Sequence, residues 1–260
     1  MNKIRLAIVA FDDSVYLPPV FAPLFASPSI EPCAAVLLPM ASAVSMHPGG
    51  RIGIRAVMAR ARMYGPVAFC LLGLIQVVVK VWRGITGQSL HARCSARGIL
   101  PLTWRGSVNS AVVLEHLAAT RPDIVLGVFS ERAESALRTV ARRGVLLLHY
   151  SLLPKFAGRE PVFWTLLESP EDGGVTFFKA DDSLDGGLVA AQGECHLTDV
   201  RSLHRAIHLL SRRAGAIAEA AVASCVEGRL TPQPDTAHLA RSWPSKAEIG
   251  TFRKKGLRFI

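Results

Sequence analysis

Apolar runs of strand length recur along the chain. Residues 4–10 (IRLAIVA), 33–39 (CAAVLLP), 123–129 (DIVLGVF) and 145–150 (VLLLHY) lack the alternation of a half-exposed strand. Near-continuous runs of this length predict strands buried on both faces, as in a parallel sheet. Residues 174–180 (GVTFFKA) and 188–197 (LVAAQGECHL) predict a fifth and a sixth strand. Between the runs, the Pro-punctuated PPVFAPLFA at 18–26 predicts a short helix, and the stretches 109–120 and 200–227 carry helical composition and spacing. ASAVSMHPGG at 41–50 reads as a loop, and the Pro- and Lys/Arg-rich tail from Arg229 as irregular. Strands alternating with helices predict an α/β domain with a mostly parallel sheet. No internal repeat is present.

One stretch stands apart. PVAFCLLGLIQVVVKVW at 66–82 is the most hydrophobic part of the chain. As a helix it spans roughly 25 Å at about 1.5 Å per residue, which falls short of the ~30 Å hydrocarbon core of a bilayer. Gly73, Gln76, Lys80 and Arg83 follow each other at spacings of three and four and would form a narrow polar stripe. Beside a transmembrane span, two readings follow. In one, the helix belongs to the core and its stripe meets solvent. In the other, it lies in a membrane interface, apolar side in lipid and neighbouring arginines on anionic headgroups.

Charge separates this part of the chain further. The net charge is +10, and no acidic residue occurs from Pro32 to Leu114, a stretch that holds nine basic ones from Arg51 to Arg105. A one-signed segment points to an anionic partner: nucleic acid, a phosphorylated substrate or an anionic membrane. Half of the residues are hydrophobic and 19% are charged, which supplies a sizeable core and excludes a disordered chain. The five cysteines, at 33, 70, 94, 195 and 225, include no CxxC pair, so neither a disulfide scaffold nor a structural zinc site is expected. The start, MNKIRLAIVAFDD, lacks the small-residue cleavage site of a signal peptide. The expected location is the cytoplasm, with peripheral contact at the inner membrane face through residues 51–83.

Candidate chemistry gathers in residues 144–192. A buried strand delivers His149 to its carboxyl end, where α/β proteins place ligands. The turn Ser151-Leu152-Leu153-Pro154 follows directly. A later strand leads to the acidic loop ADDSLDGG at 180–187. A histidine and a carboxylate brought together in this way can form a general-base pair, the carboxylate orienting the imidazole and supporting its charged form.

HYSLLPKFAG (149–158), followed by GGVTFFKADDSLDGG (173–187), resembles the signature of the 10-formyltetrahydrofolate-dependent formyltransferases. That family includes methionyl-tRNA, glycinamide ribonucleotide and sugar formyltransferases and the related formyltetrahydrofolate hydrolases. The match covers about 50 residues well and extends loosely over 123–200 and to the first strand. The resemblance implies a Rossmann-like formyltransferase domain over residues 1–200, with a basic and hydrophobic helical insertion at about 41–105. Residues 201–260 would be a helix and tail packed on it.

The resemblance also implies a site. His149 is the acid/base toward the incoming amine, and Asp185 positions and charges it. Phe129, Ser130 and Glu131 meet the pterin ring of the 10-formyltetrahydrofolate donor, and the loop with Asp181 and Asp182 closes the other side. Ser151 and Gly158 match turn positions. The family has an asparagine two residues before the histidine, suited to donating a hydrogen bond to the formyl oxygen; this chain has Leu147 there. The implied activity is N-formyl transfer to a primary amine, on an amino sugar or related metabolite that is phosphorylated or lipid-linked. The alternatives are a formyltransferase-like binding protein without catalysis, or a formyltetrahydrofolate hydrolase. A tRNA acceptor is not expected, because the β-barrel domain of the tRNA enzymes finds no counterpart in the sequence.

Other patterns point elsewhere only weakly. His204 and His208 stand four apart but read HRAIH, without the glutamate of HExxH. No GxSxG elbow, GxGxxG fingerprint or GxxxxGK[ST] loop occurs. No metal is expected.

Overall fold

The strand-length runs assemble into a single sheet in a computed structural model that describes residues 3–39, 58, 61–234 and 240–260. The predicted loop at 41–50 and the arginines Arg51, Arg55 and Arg60 lie outside the described residues. The strands are β1 (Ile4–Phe11), β2 (Ile30–Leu38), β3 (Leu102–Thr103), β4 (Ile124–Val128), β5 (Val145–His149), β6 (Gly174–Lys179) and β7 (Val189–Glu194). Their order is β3-β2-β1-β4-β5-β6-β7. The first five run parallel, and β6 and β7 continue the sheet antiparallel. The short β3 falls inside the stretch expected as an insertion. It pairs with β2 through only two residues, too few for a hydrophobic run to announce it.

A strand of a doubly covered sheet sends successive side chains into two different cores. In β1, Leu6, Ile8 and Ala10 enter one core, while Ala7 and Val9 enter the other. Helices α1 (Pro18–Ala26), α2 (Pro66–Ile85), α3 (Leu90–Ser95), α4 (Ala111–Ala118), α5 (Ser135–Thr139), α6 (Pro161–Glu168), α7 (Leu203–Glu227) and α8 (Lys246–Lys254) connect or follow the strands. Side chains of α1, α6, α7 and α8 fill the first core, and those of α4 and α5 fill the second.

The long α7 packs on α1 through a stripe of small residues, Ala214, Gly215 and Ala218. A Cβ on Gly215 would lie 2.1 Å from the Pro19 carbonyl oxygen, so only hydrogen fits there. Gly215→Ala is expected to lower the unfolding free energy by about 1–2 kcal/mol in a urea titration. The helix-propensity gain of about 1 kcal/mol is set against an overpacking cost of about 1–3 kcal/mol. A variant as stable as the native chain would mean that the two helices do not approach so closely.

The tail is more ordered than its composition suggests. Ser245 and Glu248 form a reciprocal capping box that starts α8. Phe252 of α8 stacks on Phe163 of α6, ring centroids 4.6 Å apart, and on Phe259 at 5.1 Å. The S-K-A-E capping signal stands in the sequence amid Pro- and Lys/Arg-rich surroundings.

Helix α2 reverses the core-helix expectation. None of its residues is buried. Val67 and Ile85 are 81% and 82% exposed, and Leu74, Val77, Val78, Val81 and Trp82 are also exposed. The polar stripe faces the protein: Gln76 Nε2 donates to Asp13 Oδ1 at 3.4 Å, and Lys80 pairs with Asp12. The stripe turns inward because the acids that close β1 wait there for it.

Candidate active site

The carboxyl ends of β1, β4 and β5 open into a cavity of about 450 Å³, within the range of small-molecule sites. Its lining includes Phe11, Tyr64, Phe129, Leu147, His149, Phe178 and Asp185. Apolar and aromatic walls around a few polar groups suit a flat ring system.

His149 ends β5 and is buried apart from its face on the cavity. Its Nε2 lies 3.1 Å from the Phe156 carbonyl oxygen. A carbonyl only accepts, so Nε2 carries the proton and donates it. The lone pair of the neutral ring is then on Nδ1, which lies 3.8 Å from Asp185 Oδ2. That separation is longer than a hydrogen bond and within ion-pair distance. Asp185 is fixed in turn: Oδ2 accepts the Gly158 N–H at 2.7 Å, and its carbonyl accepts from Gln233 Nε2 at 2.7 Å. Gly158 has φ +96°, and a Cβ there would lie 2.4 Å from the Arg241 carbonyl, so glycine is required at this crossing.

Leu147 shares the His149 face of β5, because side chains two apart point the same way. It lines the cavity opposite Gly127 of β4. It borders the second core on one side and packs against Leu153, Ala157 and Phe178 on the other. The position that would hold a hydrogen-bond donor for the formyl oxygen is therefore an apolar part of the cavity wall.

Phe129, Ser130 and Glu131 follow β4 and line the cavity. Glu131 Oε2 accepts from Ser107 Oγ at 2.5 Å, which holds the loop to the segment before α4. Asp181 also lines the cavity, and its carboxylate caps the turn by accepting the Ser183 N–H at 2.8 Å. Asp182 is not brought in. It points to solvent, where its carboxylate pairs with Arg138 at 2.5 Å and is held below the usual range by that hydrogen bond and charge. A two-residue acidic pair in a turn sends its side chains apart, and only one reaches the cavity. Ser151 Oγ donates to the Lys155 carbonyl at 2.7 Å and closes the turn after β5.

Several cavity residues escaped the sequence reading. Asp13, just beyond β1, is buried, and burial raises its carboxyl above the usual range. Its Oδ1 accepts the N–H groups of Val15 and Tyr16 at 2.7 and 2.9 Å. An acid directly after a buried first strand sits at the carboxyl edge by rule, so the signal existed. Arg159 lines the cavity, and its buried Nη1 has no hydrogen-bond partner among the described residues. Burial lowers the Arg159 guanidinium from its ordinary value. Arg241 and Trp243 arrive from the tail. Their approach depends on the Gly158–Arg241 bridge, which has no local sequence signature. His204 and His208 do not form a metal pair: His204 Nδ1 bonds Tyr16 Oη at 2.6 Å. Burial, followed by the charge of His208, lowers the His204 imidazole.

Comparison with known proteins places this geometry. Residues 94–213 match the sequence profile of the formyl transferase family. The methionyl-tRNA formyltransferase of Halalkalibacterium halodurans is 28% identical over 167 residues, covering 61% of this chain and 51% of that protein. The chain spans about half the length of the curated relatives it matches. Glycinamide ribonucleotide transformylase 1 from Symbiobacterium toebii superposes with a TM-score of 0.57 at 15% identity, over 92% of this chain and 95% of that one. A 4-N formyltransferase from Francisella tularensis gives 0.55 at 10% identity, over 92% and 76%. These two likenesses concern the fold. The matched segment carries β4, β5, the turn after His149 and the loop of Asp185, so the stretch of chain that forms the site is similar to the formyl transferase family.

Proposed function

We propose that the protein moves a formyl group from 10-formyltetrahydrofolate to a primary amine on an amino sugar or related metabolite. The observation that carries this reading is the pairing of His149 and Asp185 on the wall of one cavity, within the segment that matches the family.

The donor's flat pterin ring lies between the loop 129–131 and the loop around Asp181, in the aromatic part of the cavity. The formyl carbon then stands before His149. The acceptor nitrogen attacks that carbon, and its proton passes to Nδ1 of His149. Asp185 stabilises the resulting imidazolium. The C–N10 bond breaks, N10 takes a proton, and the products are the formylated amine and tetrahydrofolate. Arg159, which lines the cavity, brings its guanidinium charge toward an anionic group of the acceptor, a phosphate or carboxylate.

Leu147 favours a second reading. A wall without the amide donor fits a protein that binds the donor but turns it over slowly or not at all.

Release of tetrahydrofolate from 10-formyltetrahydrofolate separates the readings. The assay is run without amine and with amino sugars, nucleotide-linked amino sugars and methionyl-tRNA. Release that requires an amino sugar is the expected result. Release that needs no amine would replace transfer by hydrolysis. Methionyl-tRNA as the sole acceptor would overturn the small-amine assignment. Donor binding without release would establish the binding protein.

A further inference from the structure

We infer that α2 docks the protein on an anionic membrane surface, lying in the plane of the interface. An amphipathic helix of a water-soluble protein turns its apolar side to the core. Here the orientation is opposite. The polar residues Gln76 and Lys80 are held by Asp13 and Asp12 at the end of β1. Arg83 on the same stripe is half-buried, and burial lowers its guanidinium from the ordinary value. The apolar side, with Val67, Leu74, Val78, Trp82 and Ile85 more than half exposed, faces outward. A contiguous apolar face of this kind marks an interaction surface.

Charge selects the occupant. The stretch from Pro32 to Leu114 has no acid to repel a phospholipid headgroup. Among its cations, Arg62 just before α2 and Arg105 beyond it are exposed. Trp82 near the end of the helix is the amphipathic aromatic that favours the headgroup level. The helix is long and apolar enough to cross a bilayer by length and composition. Its ties to Asp12 and Asp13 hold it along the protein body instead, so one side is available to lipid and the other is not. Asp13 and Tyr64 also line the cavity, so the interface lies beside the site. The inference does not depend on which reaction the cavity performs.

The full chain is tested by co-sedimentation with phosphatidylcholine vesicles and with vesicles that also contain phosphatidylglycerol. Binding to the anionic vesicles, weakened by salt, is expected, with quenching of tryptophan emission by brominated lipid that Trp82→Phe reduces. Val78→Glu with Trp82→Glu, both at exposed positions, is expected to weaken vesicle binding about tenfold or more while leaving thermal unfolding and donor binding unchanged. A native chain that ignores anionic vesicles would overturn the inference. So would a double variant that binds them equally well. If instead the native chain is a dimer in free solution that the double variant dissociates, and neither binds vesicles, the apolar face belongs to a second copy.

Discussion

His149→Ala is expected to lower amine-dependent release of tetrahydrofolate by about 10²–10⁴-fold, the usual yield of a positioned general base. Its effect should fall on turnover more than on donor affinity, because the aromatic walls proposed to hold the donor are untouched. The ring has one use for each nitrogen. Nε2–H is committed to the Phe156 carbonyl, and Nδ1 faces Asp185 and the cavity. Asp185→Asn separates charge from geometry. Asp185 has φ 55°, a left-handed conformation that asparagine tolerates as well as aspartate does. An asparagine oxygen can still accept the Gly158 N–H, so the loop keeps its shape. What disappears is the negative charge beside the imidazolium, and turnover should fall with the fold intact. Full activity in His149→Ala, measured by the same release assay, would remove the histidine from the mechanism.

The second large effect runs in the opposite direction. Leu147→Asn is expected to raise turnover by about 10²–10³-fold, the magnitude associated with a single donor to a developing oxyanion. The asparagine side chain keeps the branched shape in a smaller volume, so it fits beside Phe178 without a clash. Its amide would face the cavity at the place where the family puts a donor. The cost is a polar group among apolar neighbours, about 1–3 kcal/mol while the site is empty. Thermal unfolding should therefore fall slightly as activity rises. If Leu147→Asn leaves turnover unchanged, the charge on the formyl oxygen is stabilised from another direction. Backbone N–H groups or the Arg159 guanidinium are then the groups to test.

What could be read in the chain divides along physical lines. The runs at 4–10, 124–128 and 145–149 were legible because a doubly covered parallel strand has no alternative to continuous apolar sequence. The approach of His149 to Asp185 was legible through a motif whose spacing is set by one strand, one turn and one hairpin. The β3 pairing was not, since two residues on an edge carry no period. Nor was the fate of the acidic loop. The sequence ADDSLD cannot say which carboxylate turns inward, and the backbone sends Asp181 and Asp185 to the cavity while Asp182 meets Arg138. The polar stripe of α2 was visible as spacing, but its direction was not. A helical period has a phase only once a partner surface is known, and here that surface is the pair Asp12 and Asp13.

The crossing of Gly158 with Arg241 gives the cavity two authors. The His149–Asp185 pair comes from the segment that matches the formyl transferase family, residues 94–213. Part of the wall comes from outside it: Asp13 and Tyr16 before the segment, Arg241 and Trp243 after it. A wall delivered by separate stretches of chain can drift in evolution while the pair stays constant. Exchanging the tail with that of a relative is expected to alter the cavity wall and also the support of the Asp185 loop, which Gln233 and the Gly158–Arg241 bridge hold.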